Sequence, residues 1–170
     1  PSKWLSRRAV RVGTGVALTL RDISDSKAHE EELLQLAHRD VLTGLPNRLW
    51  LHRYLPTAIR RARRAHKQLA VLFVDLDHFK TVNDTLGHDV GDDLLKQVTE
   101  QLRATLRASD HMVRLGGDEF LVVIEKVDDP EIIDALALKI IGSLNQYVAR
   151  KETPLNMVSA SIGISLYPRD

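Results

Sequence analysis

The chain has 170 residues, no cysteine and a formal net charge of +1. That length suits one domain with a sizeable core and an appendage, while the missing cysteines exclude disulfides, thiolate metal sites and cysteine nucleophiles. Hydrophobic residues make up 44% and charged residues 28%, an ordinary balance for a globular protein. Near-neutrality argues against a dedicated nucleic-acid binder, and no apolar run approaches the ~20 residues of a membrane helix.

The sequence starts at Pro1 rather than Met, which suggests a piece of a longer protein. Val10 to Asp22 alternates apolar and polar residues around Gly13 and Gly15, the period of a single strand. From Ser24 to Asp40 the pattern turns helical, with Ser24 or Asp25 as cap and Glu30, Glu31 and Glu32 early, where the helix dipole favours negative charge. Leu33, Leu36, Ala37 and Val41 give a short apolar stripe. It fits either a signalling lever or a plain linker helix.

Asp40-Val-Leu-Thr-Gly-Leu-Pro-Asn-Arg48 is turn chemistry, in which Gly44 permits a bend and Pro46 is expected to open the next helix. That helix should run to about Lys67 with a kink at Pro56, its basic end Arg60–Lys67 forming a solvated face. Leu69 to Asp77 is nearly all apolar, so it predicts a central strand covered on both faces. Asp75 and Asp77 at its end share one face. A buried carboxylate needs a cation or hydrogen-bond donors; a metal site is the reading for Asp75, and capping of the next turn also fits Asp77.

His78 to Gly91 reads as a polar, glycine-punctuated loop with at most one helical turn. An amphipathic helix follows, with Val90, Leu94, Leu95, Val98, Leu102 and Leu106 on its core face. Arg107-Ala-Ser-Asp110 then precedes two strand-like runs joined by Gly116-Gly117, which predicts a β-hairpin with a tight Gly-Gly turn. The glycines bare the backbone to something bulky such as a phosphate, and Asp118 and Glu119 beside them suit a phosphate–metal complex. Pro130 opens a second amphipathic helix ending near Arg150, and Asn156 to Tyr167 alternates like a strand.

Three segments together resemble the GGDEF family, the diguanylate cyclases, which condense two GTP into cyclic di-GMP. These are Asp40–Arg48, matching D-x-L-T-G-L-x-N-R; Asp75-x-Asp-x-Phe-Lys-x-x-Asn-Asp with the later Gly-His and Gly-Asp92; and Gly116-Gly-Asp-Glu-Phe120. The resemblance covers about residues 38–170. It implies an α/β fold with a mostly antiparallel central sheet flanked by helices, like the palm of class III nucleotidyl cyclases. Members normally continue with a further helix and strand, so the expected domain is truncated at its C-terminus. Arg21-Asp-Ile-Ser24 similarly resembles the hand-over from a PAS sensor to a signalling helix. The implied organisation is residues 1–24 as the closing strand of a PAS-like sensor, 25–40 as a linker helix and 41–170 as the GGDEF domain.

The resemblance also implies roles. Asp75, the Leu76 carbonyl, Asp118 and Glu119 would hold Mg²⁺ (or Mn²⁺), with Asp118 the candidate base for the ribose 3′-hydroxyl. Lys80 would offset phosphate charge, and backbone amides near Phe79, Gly116 and Gly117 would cradle the phosphates. Asn83 and Asp92 match the guanine readers, with His88 a further contact, and Arg107 with Asp110 matches a product-binding inhibitory site. An R-x-x-D pair bonded only to itself is the plainer alternative there. One domain holds one GTP, so the implied enzyme is a homodimer built through its GGDEF domains and linker helix. The location implied is cytoplasmic, with an upstream membrane anchor left open. The alternatives are a non-catalytic module that binds GTP or cyclic di-GMP, and an unrelated nucleotidyl cyclase or polymerase palm.

Overall fold

The computed structural model describes residues 3–149 and 158–170, in two compact units, Pro1–His38 and Arg39–Asp170. In the first unit the expected single strand is two. Strands β1 (Leu5–Val12) and β2 (Gly15–Asp22) pair antiparallel around Gly13-Thr14. Gly13 takes φ 61° there, the positive value a two-residue hairpin turn requires. Every residue of both strands is exposed. Helix α1 (Ser24–Ala37) follows; the Ser24 hydroxyl accepts from the Trp4 amide at 2.9 Å, and the Ser24 amide donates to the Asp22 carboxylate at 3.0 Å. Of the stripe expected along this helix, Leu36 is exposed, and so is Val41 beyond it.

The second unit is an α/β layer structure. Its sheet has the order β4-β5-β3-β6, from β3 (Gln68–Asp77), β4 (His111–Gly116), β5 (Glu119–Val127) and β6 (Ser159–Tyr167), with every neighbouring pair antiparallel. The central strands are apolar on both faces because both faces are covered. Ala70, Leu72, Val74 and Leu76 of β3 join Phe120 and Val122 of β5 under helices α3 (Phe79–Leu86), α4 (His88–Thr105) and α5 (Glu131–Ala149). Leu69, Leu121 and Val123 turn the other way, onto Leu51, Ala58 and Ala62 of helix α2 (Arg48–Ala65). Each fully buried Leu, Val or Phe contributes about 1.5–3 kcal/mol, so this double cover fixes the register of β3 and the place where it ends.

Several details differ from the sequence expectation. Asn47, not Pro46, starts α2: its side chain accepts from the Trp50 amide at 3.1 Å, while the Pro46 carbonyl accepts from the Arg114 amide at 2.9 Å. The helix runs through Pro56 without interruption and ends at His66, whose left-handed backbone closes the last turn. The basic end of α2 is exposed, as expected. The segment after β3 is a two-turn helix, α3, rather than a loop, because Phe79 and Val82 give it a buried edge. The hairpin turn is centred on Gly117-Asp118, with Gly116 paired to Glu119 and a bulge at Leu115. Arg150, Asn156 and Met157 lie outside the described residues.

Candidate active site

The acids converge where β3 leaves the core. Asp75 is paired with Glu119 of β5 on one side and Ser161 of β6 on the other. The Leu76 amide donates to the Asp118 carbonyl at 3.3 Å, which ties the hairpin turn to the end of β3. Burial pushes the Asp75 carboxyl above the usual carboxylate range, and the charges of Asp118, Asp77 and Glu119 push it further the same way. Asp77, on the same face, behaves oppositely: hydroxyls of Ser159 (2.5 Å) and Ser161 (2.8 Å) donate to it and hold it below that range. One acid is satisfied by the neighbouring strand; the other is left among like charges.

The turn beside them is open. Gly116 and Gly117 have φ of 140° and 53°, and a side chain built at either would meet nothing within 4 Å. These positions therefore need glycine for backbone conformation, and the space above them is free for a ligand. Among the described residues no three His, Cys, Asp or Glu side chains already form a metal cage. The donors nonetheless suit a hard divalent cation: they are carboxylate oxygens, and a cation would relieve both the burial and the like charges that raise Asp75. Asp75, Asp118, Glu119 and the Leu76 carbonyl are the groups that could hold it.

Arg114 builds the turn from behind, and sequence reasoning assigned it no role. Its guanidinium is 9% exposed and donates twice to the Gly117 carbonyl, at 3.1 and 2.8 Å, and once to Asp40, at 2.8 Å. Asp40 also accepts from the Thr43 amide (2.9 Å) and hydroxyl (2.6 Å). Burial alone would raise its pKa, but the bonds from Thr43 and Arg114 outweigh it and hold Asp40 below the usual range. The opening turn is thus a clasp on the glycine hairpin. An arginine inside an apolar strand was the signal that could have found it.

A second cluster forms between α3 and α4. The Asn83 Oδ1 is buried without a hydrogen-bond partner, and Gly91 lies so close that a Cβ there would sit 1.9 Å from it. A buried amide oxygen packed against a glycine and left without a partner is an acceptor still open to a donor. His88 and Asp92 are exposed at the start of α4, and Lys80 is exposed on α3. The Phe79 side chain is buried in the core, so only its backbone can face a ligand.

Arg107 and Asp110 close a turn on each other: the Arg107 amide donates to the Asp110 carboxylate at 2.9 Å, and the Asp110 amide to the Arg107 carbonyl at 3.0 Å. Both side chains also line a cleft of about 510 Å³ with Leu45, Pro46, Arg103 and Met112. The local bonding of the plainer alternative is present, and so is a cavity beside it.

A model of the diguanylate cyclase GGDEF domain family matches residues 37–170. The chain belongs to the GGDEF family. It is 49% identical over 141 residues to the bifunctional diguanylate cyclase/cyclic di-GMP phosphodiesterase MucR of Pseudomonas aeruginosa, covering 82% of this chain and 20% of that protein. It is 40% identical over 149 residues to the diguanylate cyclase TpbB of the same organism, covering 88% of this chain and 33% of TpbB. A crystal structure of a sensory box/GGDEF family protein from Caulobacter crescentus superposes with a TM-score of 0.68 at 39% identity, over 78% of this chain and 85% of that one. The chain thus spans about a fifth to a third of the length of these curated relatives. The mixed α/β fold with an antiparallel sheet flanked by helices is that of GGDEF domains. Among the described residues no helix is long and apolar enough to cross a membrane.

Proposed function

We propose that this domain is a diguanylate cyclase, condensing two GTP into cyclic di-GMP with release of pyrophosphate. The observation that carries the reading is Asp75, held among Asp118, Asp77 and Glu119 at the end of a buried strand, beside the open Gly116-Gly117 turn. The ribose 3′-oxygen of one GTP forms a bond to the α-phosphorus of the other. The bond from that phosphorus to the β-phosphate bridging oxygen breaks, and pyrophosphate leaves with the electron pair. The same exchange with the two GTP in reversed roles closes the ring and releases a second pyrophosphate. The 3′-hydroxyl proton passes to a carboxylate, for which Asp118 is the candidate. A bound Mg²⁺ or Mn²⁺ supplies positive charge against the triphosphate.

The residues of the chain do the rest. The N-terminal amides of α3, from Phe79, and those of the glycine turn receive phosphate oxygens, and Lys80 adds a point charge. Guanine presents N1–H and N2–H donors and an O6 acceptor; Asp92 accepts from the former, and the orphaned Asn83 amide meets the base edge, with His88 beside it. Ring closure needs two domains face to face, so the active form is a two-fold dimer. Arg107 and Asp110, at the large cleft, form the product site for feedback inhibition. We assign residues 1–24 to the end of a PAS-like sensor, 25–40 to a linker helix that sets the dimer geometry, and 41–170 to the cyclase domain. The setting is the cytoplasm, where GTP is found.

The test is incubation with GTP and Mg²⁺, followed by chromatography of the nucleotides. Cyclic di-GMP from GTP, no cyclic product from ATP, and selective damage to GTP use by Asp92→Ala are expected. Nucleotide binding without product reassigns the domain as a binding module.

A further inference from the structure

Arg48 opens helix α2, one residue after the capping Asn47. A cation in the first turn of a helix opposes the positive end of the helix dipole, so the helix gains nothing from it there. Its place is nevertheless fixed: the Asn47 side-chain amide donates to the Arg39 carbonyl at 3.2 Å, and Asn47 is bridged to Arg114 of β4. From that anchor the guanidinium reaches Glu119, with its terminal nitrogen 3.6 Å from the carboxylate oxygen. Glu119 is at the same time the residue paired with Asp75 across the sheet.

We propose that Arg48 is the built-in counter-ion of the acid cluster, a positioning residue that holds Glu119 and competes with the divalent cation for it. The inference rests on the metal-site reading above. Its physical content is a balance of charges. Asp75, Asp118 and Glu119 repel one another, and Arg48 lowers that repulsion at one edge of the group. A divalent ion entering the cluster meets a positive neighbour and must take Glu119 from it. The ion pair is half solvated, with the arginine side chain 62% and the glutamate 39% exposed, so the exchange is easy and the effect moderate. Arg48 thereby keeps the acids tolerable to one another while setting a threshold for metal occupancy.

The test is Mn²⁺ binding to the nucleotide-free chain, followed by electron paramagnetic resonance of free Mn²⁺, with melting temperature as a control on folding. Arg48→Ala should tighten Mn²⁺ binding about three- to tenfold, the scale expected for removing one nearby positive charge in a partly solvated site. Arg48→Lys, which keeps the charge, should stay within about twofold of the wild type on the same scale. Because Arg48 is exposed, both variants should fold. Unchanged or weaker binding in Arg48→Ala, with Asp75→Asn still abolishing binding, overturns the role of Arg48 and leaves the metal site standing. Wild-type binding that is absent, or indifferent to Asp75→Asn, overturns both.

Discussion

Two groups of charges meet at the glycine hairpin and are handled in opposite ways. Behind the turn, a buried Arg114 and a half-buried Asp40 are matched: five bonds from Arg114 and Thr43 satisfy the Asp40 carboxylate and the Gly117 carbonyl between them. In front of it, Asp75 sits among three other carboxylates and is pushed above its ordinary range. The first arrangement spends its charges on holding the turn in place. The second leaves Asp75 among like charges, which stability alone would not select. The difference separates scaffold from site within a few residues of one strand end.

Breaking the scaffold side should have the largest effect. Arg114→Ala leaves the Gly117 carbonyl without its donors and Asp40 without its counter-charge, and should cost about 3 kcal/mol in urea unfolding. A loss under about 1 kcal/mol would mean that the clasp is ornamental. Next comes Gly91→Ala, where the new Cβ would lie 1.9 Å from the Asn83 oxygen and 2.9 Å from its Cγ. Displacing Asn83 should destabilise the domain by about 1–2 kcal/mol. If Asn83 reads guanine, the KM for GTP should rise while the metal requirement stays put.

Much of this was legible in the sequence, for reasons that particular residues make plain. The apolar run Leu69–Leu76 could only be a covered central strand, and the double glycine before two acids could only be a turn. Helix α3 was not legible, because a single buried edge of Phe79 and Val82 in a polar, glycine-flanked segment gives too little periodicity. The second N-terminal strand hid inside one continuous alternation that Gly13 folds back on itself. The Arg114–Asp40 pair spans 74 residues, and no local pattern announces a contact at that range. The cause of the contrast between Asp75 and Asp77 was equally hidden, since it depends on the register that sets Ser159 and Ser161 against β3.

That contrast sharpens into a pH prediction of smaller size. Asp77 has its folded pKa depressed by Ser159 and then Ser161. Its contribution to stability is therefore complete above the unfolded value of about 3.9 and fades as pH falls through the folded one. Ser159→Ala with Ser161→Ala should cost about 1 kcal/mol at neutral pH and remove the part of the acid-unfolding slope that Asp77 provides. An unchanged slope would show that the hydroxyls do not carry the shift.

The most direct measurement is the melting temperature of Asp75→Asn against the wild type at pH 7, without ligands and then with Mg²⁺ and GTP. Since the folded pKa of Asp75 is raised, its ionised form weighs against folding at any pH above the unfolded value. The account predicts that the neutral variant melts higher than the wild type without ligands and loses the stabilisation that Mg²⁺ and GTP give the wild type by mass action. A variant that melts lower without ligands, or that gains as much from them as the wild type does, would contradict it.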